Sequence, residues 1–115
     1  MPNRFNLSSD GGANVLELNL PTQLDHNEID KIIEELAQSL NGHATGKWII
    51  DLTHVEYTGS AALGLLVNLR QQIKEAGGTL VLCCMSPRLS EILHACSLDR
   101  LFKMVGTRQA ALKAQ

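Results

Sequence analysis

A chain of 115 residues, 44% of them hydrophobic, has the size of one domain and the apolar fraction of an ordinary folded protein, which excludes disorder and a two-domain enzyme. Twelve acidic against ten basic side chains (net charge −2), with one Trp, one Tyr and two Phe, offer neither the basic stripe nor the stacking platform of a nucleic-acid binder. The longest uncharged apolar stretch, Ala61 to Leu69, is far below the about 20 residues of a membrane span, and Met1 to Phe5 lacks a signal-peptide core; the expectation is a cytoplasmic protein without direct membrane insertion.

Phe5 to Ser9 reads as a short edge strand, Gly11-Gly12 as a turn, and Val15 to Leu20 alternates like a half-buried strand that Pro21 stops. Asp25 is placed to cap a helix, with Glu28 at the capping-box position and Leu24 and Ile29 as a hydrophobic staple. Ile29, Ile32, Ile33, Leu36 and Leu40 keep helical spacing until Asn41-Gly42. Lys47 to Leu52 is an apolar run with a carboxylate, Asp51, near its end, the pattern of a central strand buried on both faces. Thr53 to Gly59 reads as a loop, and Ser60 opens a second helix with Leu63, Leu66, Val67, Leu69 and Ile73 inward, ended by Gly77-Gly78. Thr79 to Cys84 is another buried strand. Ser86-Pro87 is a cap followed by proline at the first helical position, with Leu89, Ile92, Leu93 and Cys96 inward. Leu101 to Val105 is a last strand, and Thr107 caps a terminal helix over Arg108 to Lys113. Alternating strands and helices with short connections predict one compact α/β domain over residues 1–115, with a mixed, mostly parallel sheet of four or five strands and about four helices.

Most chemistry-bearing residues read blandly. Gly42 to Trp48 superficially resembles a phosphate-binding loop, but it has three residues between its glycines, Trp48 where a metal-binding hydroxyl belongs, and a strand where a helix should follow. His26, His43, His54 and His94 lack metal-ligand spacing, so no metal and no cofactor is expected. Glu17, Glu34 and Glu35 read as solvated charges with no carboxylate placed opposite them. Cys83, Cys84 and Cys96, an odd count without a disulfide-scaffold pattern, read as reduced packing residues. Ser60 lacks the flanking glycines of a nucleophile elbow. A hydroxyl at a helix start is nevertheless well placed for a kinase, because an added phosphate would meet free backbone N–H groups and the positive end of the helix dipole.

From Asp51 to Leu66 the sequence resembles a STAS domain, the family of sulfate transporters and anti-sigma factor antagonists, and in particular its stand-alone bacterial anti-anti-sigma factors. The family's stretch is an apolar strand, Asp-Leu or Asn-Leu, a short loop, then Asp-Ser-Ser/Ala-Gly-Leu-Gly. Here stand Trp48-Ile49-Ile50-Asp51-Leu52 and Gly59-Ser60-Ala61-Ala62-Leu63-Gly64. Leu24-Asp25-His26, Gly77-Gly78 before Leu80-Val81-Leu82, and Ser86-Pro87 with Leu98 to Val105 extend the likeness over roughly Val15 to Ala111. The resemblance implies an anti-sigma factor antagonist with no catalysis of its own. It would bind an anti-sigma factor with serine kinase activity when unphosphorylated, release it when phosphorylated at Ser60, and be reset by a phosphatase. Thr58 is a second candidate acceptor, and Asp25, Thr58, Gly59, Ser60, Ala61, Ala62 and Leu63 would form the partner-binding face. Gly59 stands where the family carries an acidic residue. The alternative implied is a non-phosphorylated STAS scaffold subunit of a transporter or stressosome-like complex.

Overall fold

The computed structural model describes residues 4–21, 23–40, 45–56 and 60–114. The left-handed turn at Gly11 and Gly12, with φ of +56° and +85°, folds β1 (Phe5–Asp10) antiparallel onto β2 (Ala13–Leu20). Thereafter each strand feeds a helix: α1 (His26–Leu40) follows β2, α2 (Ser60–Glu75) follows β3 (Lys47–Val55), α3 (Pro87–Ala95) follows β4 (Thr79–Cys83), and α4 (Arg108–Lys113) follows β5 (Lys103–Val105). The five strands lie side by side in chain order, β2 to β5 all parallel. This is the mostly parallel mixed sheet with four helices that the sequence pattern predicts.

Sequential order decides the layering. Crossovers of one hand, all stepping the same way, place their helices on one face. Ile32 and Leu36 of α1, Leu65 and Leu69 of α2, and Leu89 and Leu93 of α3 accordingly pack with Leu16, Ile50 and Leu82 in one core. Among the described residues only α4, which follows β5, covers the opposite face, setting Ala111 against Val15, Ile49 and Val81.

The helix ends behave as their residues dictate. The Glu28 backbone N–H donates to Asp25 Oδ1 at 2.8 Å, capping α1. Gly77, at φ +85°, ends α2 with paired bonds from Gly77 N–H to the Lys74 carbonyl and from Gly78 N–H to the Ile73 carbonyl, the double closure in which glycine carries no Cβ penalty. Ser86 and Thr107 accept from Leu89 N–H and Ala110 N–H as the caps of α3 and α4.

Five expectations about these elements need correction. Thr53 to Val55 continue β3 rather than open a loop, because His54 and Val55 pair with Asn19 and Leu20 beyond a register shift in β2. The inner stripe of α2 is Ala62, Leu65, Leu66, Leu69 and Ile73; Leu63 and Val67 pack only partly buried at its border. The last strand starts at Lys103, after a 3-10 turn over Leu98–Arg100. Cys96 is the exposed C-cap of α3, not part of its inner face, and Cys84 has left β4 in a left-handed conformation at φ +63°. The helix stop at Asn41-Gly42, His43, and Thr58 and Gly59 lie outside the described residues. Among the described residues no helix is long and apolar enough to cross a membrane.

Candidate functional site

Parallel strands that each lead into a helix bring all four helix starts to one rim, the carboxyl edge of the sheet. The Glu56 N–H donates to the Leu20 carbonyl at 2.8 Å, so β2 and β3 end together, and the chain then enters α1 at Asp25 and α2 at Ser60. Asp25 is exposed with its carboxylate committed to the cap. Ser60 is the first residue of α2. The next turn divides by environment: Ala61 and Leu63 are half-buried, Ala62 is 1% exposed with its methyl in the core, and Gly64 faces solvent. Ala62 therefore supports the helix from below and offers no side chain to a partner. A Cβ built on Gly64 would meet nothing within 4 Å among the described residues.

On the opposite face of the sheet the same rim holds a polar cluster that the sequence alone does not announce. Glu17 and Asp51 are register partners on β2 and β3, and Arg108, the first residue of α4, reaches both. Its Nε and Nη2 donate to Asp51 Oδ2 at 3.2 and 2.7 Å, and Nη2 lies 3.3 Å from Glu17 Oε2. Thr53 donates to the other Asp51 oxygen from its backbone N–H at 2.9 Å and its hydroxyl at 2.5 Å. Burial pushes the Asp51 carboxyl up, but the Thr53 and Arg108 hydrogen bonds outweigh it and hold the group below its ordinary value. Glu17 is thus half of a carboxylate pair sharing one guanidinium, not an isolated solvated charge. A cation at a helix N-terminus opposes the dipole, and that mismatch is the signal in the sequence that Arg108 answers to something outside its helix. At the far end of α4, Lys47 Nζ donates to the Leu112 carbonyl at 2.9 Å and to that of Ala114, so the helix is pinned at both ends.

Among the described residues, the ligand atoms of Asp51, Cys83 and Cys84 lie within 4.8 Å of one another. Asp51 already accepts from Arg108 and Thr53, and the guanidinium repels a further cation, so this triad does not suit a hard divalent metal. The cysteines are free thiols, Cys83 buried and Cys84 half-buried. Burial and the neighbouring Cys84 push the Cys83 thiol well up. His26, His54 and His94 are exposed, and His94 Nδ1 lies 2.7 Å from Asp99. Glu34 and Glu35 are solvated, as their spacing suggests.

Comparison with known proteins places the domain in a family. The STAS domain profile matches residues 6–111. A Thermotoga neapolitana protein that carries a provisional name as an anti-sigma factor antagonist is 29% identical over 86 residues, covering 64% of this chain and 76% of its own. The structure of an anti-sigma-factor antagonist (STAS) domain protein from Planctomyces limnophilus superposes with a TM-score of 0.76 at 28% identity, covering 94% of this chain and 93% of that one. The Bacillus cell fate determinant SpoIIAA in its phosphorylated form shares the fold at a TM-score of 0.64 and 18% identity, covering 92% and 95%.

Proposed function

The chain belongs to the STAS domain family, and from that premise we propose that it is an anti-sigma factor antagonist working by partner switching. Unphosphorylated, it docks on an anti-sigma factor with serine kinase activity through Asp25 and the start of α2; phosphate on Ser60 ends the complex, and a phosphatase restores it. The names of the Thermotoga and Planctomyces relatives support the antagonist role, and a fold neighbour solved in phosphorylated form supports the chemistry.

The observation that carries the docking face is Gly64. Glycine inside a helix costs roughly 0.5–1 kcal/mol relative to alanine, yet among the described residues nothing needs its missing Cβ, since the space they leave around it is open. A residue the fold does not require fits a surface that another backbone approaches closely. Phosphate at the N-terminus of α2 would be tolerated by its own helix, whose free N–H groups and dipole favour an anion. The same added charge, about −1.5 to −2, would oppose an apolar or acidic partner surface at a desolvated contact.

The test is capture of the partner from native cells by the wild-type chain, Ser60→Ala and Ser60→Asp, with mass spectrometry of the bound proteins and of the peptide spanning Thr53 to Arg70. The expected result is an anti-sigma kinase bound to wild type and Ser60→Ala, lost from Ser60→Asp, and phosphate on Ser60 in the released fraction. Equal capture by Ser60→Asp would overturn the switch.

A further inference from the structure

Neighbouring residues of a strand point to opposite faces, so two adjacent cysteines at a strand end should hold their thiols apart. Cys83 and Cys84 do not. The left-handed φ of +63° at Cys84 turns its side chain back to the face that Cys83 occupies: Cys83 lies in the small core beneath α4 with Val81 and Ala111, and Cys84 packs, partly buried, against it. The two Sγ atoms are 3.4 Å apart.

That separation, the contact of a Cys84 thiol donating to Cys83 Sγ, leaves both sulfurs within reach of one bridging atom. A disulfide would have to close it to about 2.05 Å across adjacent Cα atoms only about 3.8 Å apart, under the usual 4.4–6.8 Å span. A tetrahedral metal with sulfur bonds of about 2.3 Å wants its sulfurs about 3.8 Å apart. A single atom bonded to both sulfurs at about 2.3 Å across the observed 3.4 Å subtends about 95°, the near-right angle of a pyramidal trivalent centre. We propose that Cys83 and Cys84 form a dithiol site at the end of β4 that takes a trivalent arsenical, bridged by both sulfurs. The site is independent of the docking face proposed for α2.

The reaction balances without an oxidant. An arsenic(III) oxide, R–As=O, meets the half-exposed Cys84 first, and the adjacent Cys83 completes the chelate. The two S–H bonds and the As=O bond break, two As–S bonds form, both protons leave with the oxygen as one water, and arsenic stays trivalent. The product carries no charge, so the burial that keeps the Cys83 thiol protonated does not oppose it. Neither Asp51, engaged by Arg108 and Thr53, nor a divalent ion is needed.

The reduced full chain is incubated with one equivalent of phenylarsine oxide, washed with the monothiol glutathione and weighed intact. The wild type and Cys96→Ser are expected to retain one phenylarsenic group, released by the dithiol dithiothreitol, and Cys84→Ser to retain none. Cys84 is half-buried, so its serine variant is expected to fold, which circular dichroism verifies; Cys84→Ala serves the same comparison. Retention by either Cys84 variant, loss from Cys96→Ser, or wild-type uptake that occurs only in urea would overturn the site.

Discussion

Replacing Arg108 by alanine removes the one cation shared by Glu17 and Asp51. Asp51 is 6% exposed and keeps both Thr53 hydrogen bonds in the variant, while its other oxygen loses donors at 3.2 and 2.7 Å. Breaking a fully buried ion pair costs about 3–5 kcal/mol. The Arg108 side chain, however, retains 35% of its surface, so water reaches the vacated oxygen and the loss falls to about 1.5–3 kcal/mol, the range of hydrogen bonds to charged groups. Removing a cation from a helix N-terminus returns about 0.3–1 kcal/mol. The net expectation is about 1–2 kcal/mol. With an unfolding entropy of about 2.1 cal/mol/K per residue, that is a fall in Tm of about 4–8 °C. Urea unfolding followed through Trp48, the single tryptophan and buried, reads it directly. The folded-state value of Asp51 is depressed, so the Arg108 contribution is fully present above the unfolded carboxyl value of about 3.9 and disappears as pH falls through the lower folded one. The gap between wild type and Arg108→Ala is therefore constant from neutrality to about pH 5 and closes in more acid solution. A variant within about 0.5 kcal/mol of wild type at neutral pH, the range of ordinary surface changes, would refute the clamp, as would a gap that widens on acidification.

Two further outcomes test the reading of α2. Leu65→Ala removes a side chain with no exposed surface and is expected to cost about 2–5 kcal/mol in urea unfolding, clearly more than Leu63→Ala at the half-buried border; equal losses would mean that the helix is rotated from its described orientation. Gly64→Ala is expected to stabilise the isolated chain by about 0.5–1 kcal/mol while weakening capture of the partner, and stabilisation with undiminished capture would remove Gly64 from the docking face.

Elements specified by residues close in sequence are legible in the sequence itself. Asp25 with Glu28, Ser86-Pro87, Thr107 and Gly77-Gly78 are local devices, and each cap or stop lies where its chemistry requires. Pattern reading stumbles where a tertiary partner overrides local character. Thr53 and His54 are polar and look like loop, but β2 supplies ladder partners for His54 and Val55 that carry the strand past the register shift at Thr53. In α2 the apolar positions are numerous enough to fit two stripes, and only the sheet beneath selects Leu65 over Leu63. The Glu17–Asp51–Arg108 cluster joins residues far apart in the chain, and Glu17 comes opposite Asp51 only once parallel pairing sets the register. At the candidate site, Ser60 and Asp25 are identifiable as helix-start residues, whereas the burial of Ala62 and the open space over Gly64 depend on how α2 rolls against the core.

The side-by-side order of the strands bears on how the molecule is made. A sheet assembled β1-β2-β3-β4-β5 never has to open between paired strands to admit a later one. Each strand–helix unit emerging from a ribosome can settle against the edge left by its predecessor, so each step closes a short loop and exposes one new edge. Until α4 arrives, none of the other described helices covers the face carrying Val15, Ile49 and Val81. α4, made after every strand it covers, is thus the segment that conceals this apolar face, and the clamps at Arg108 and Lys47 act as its fasteners.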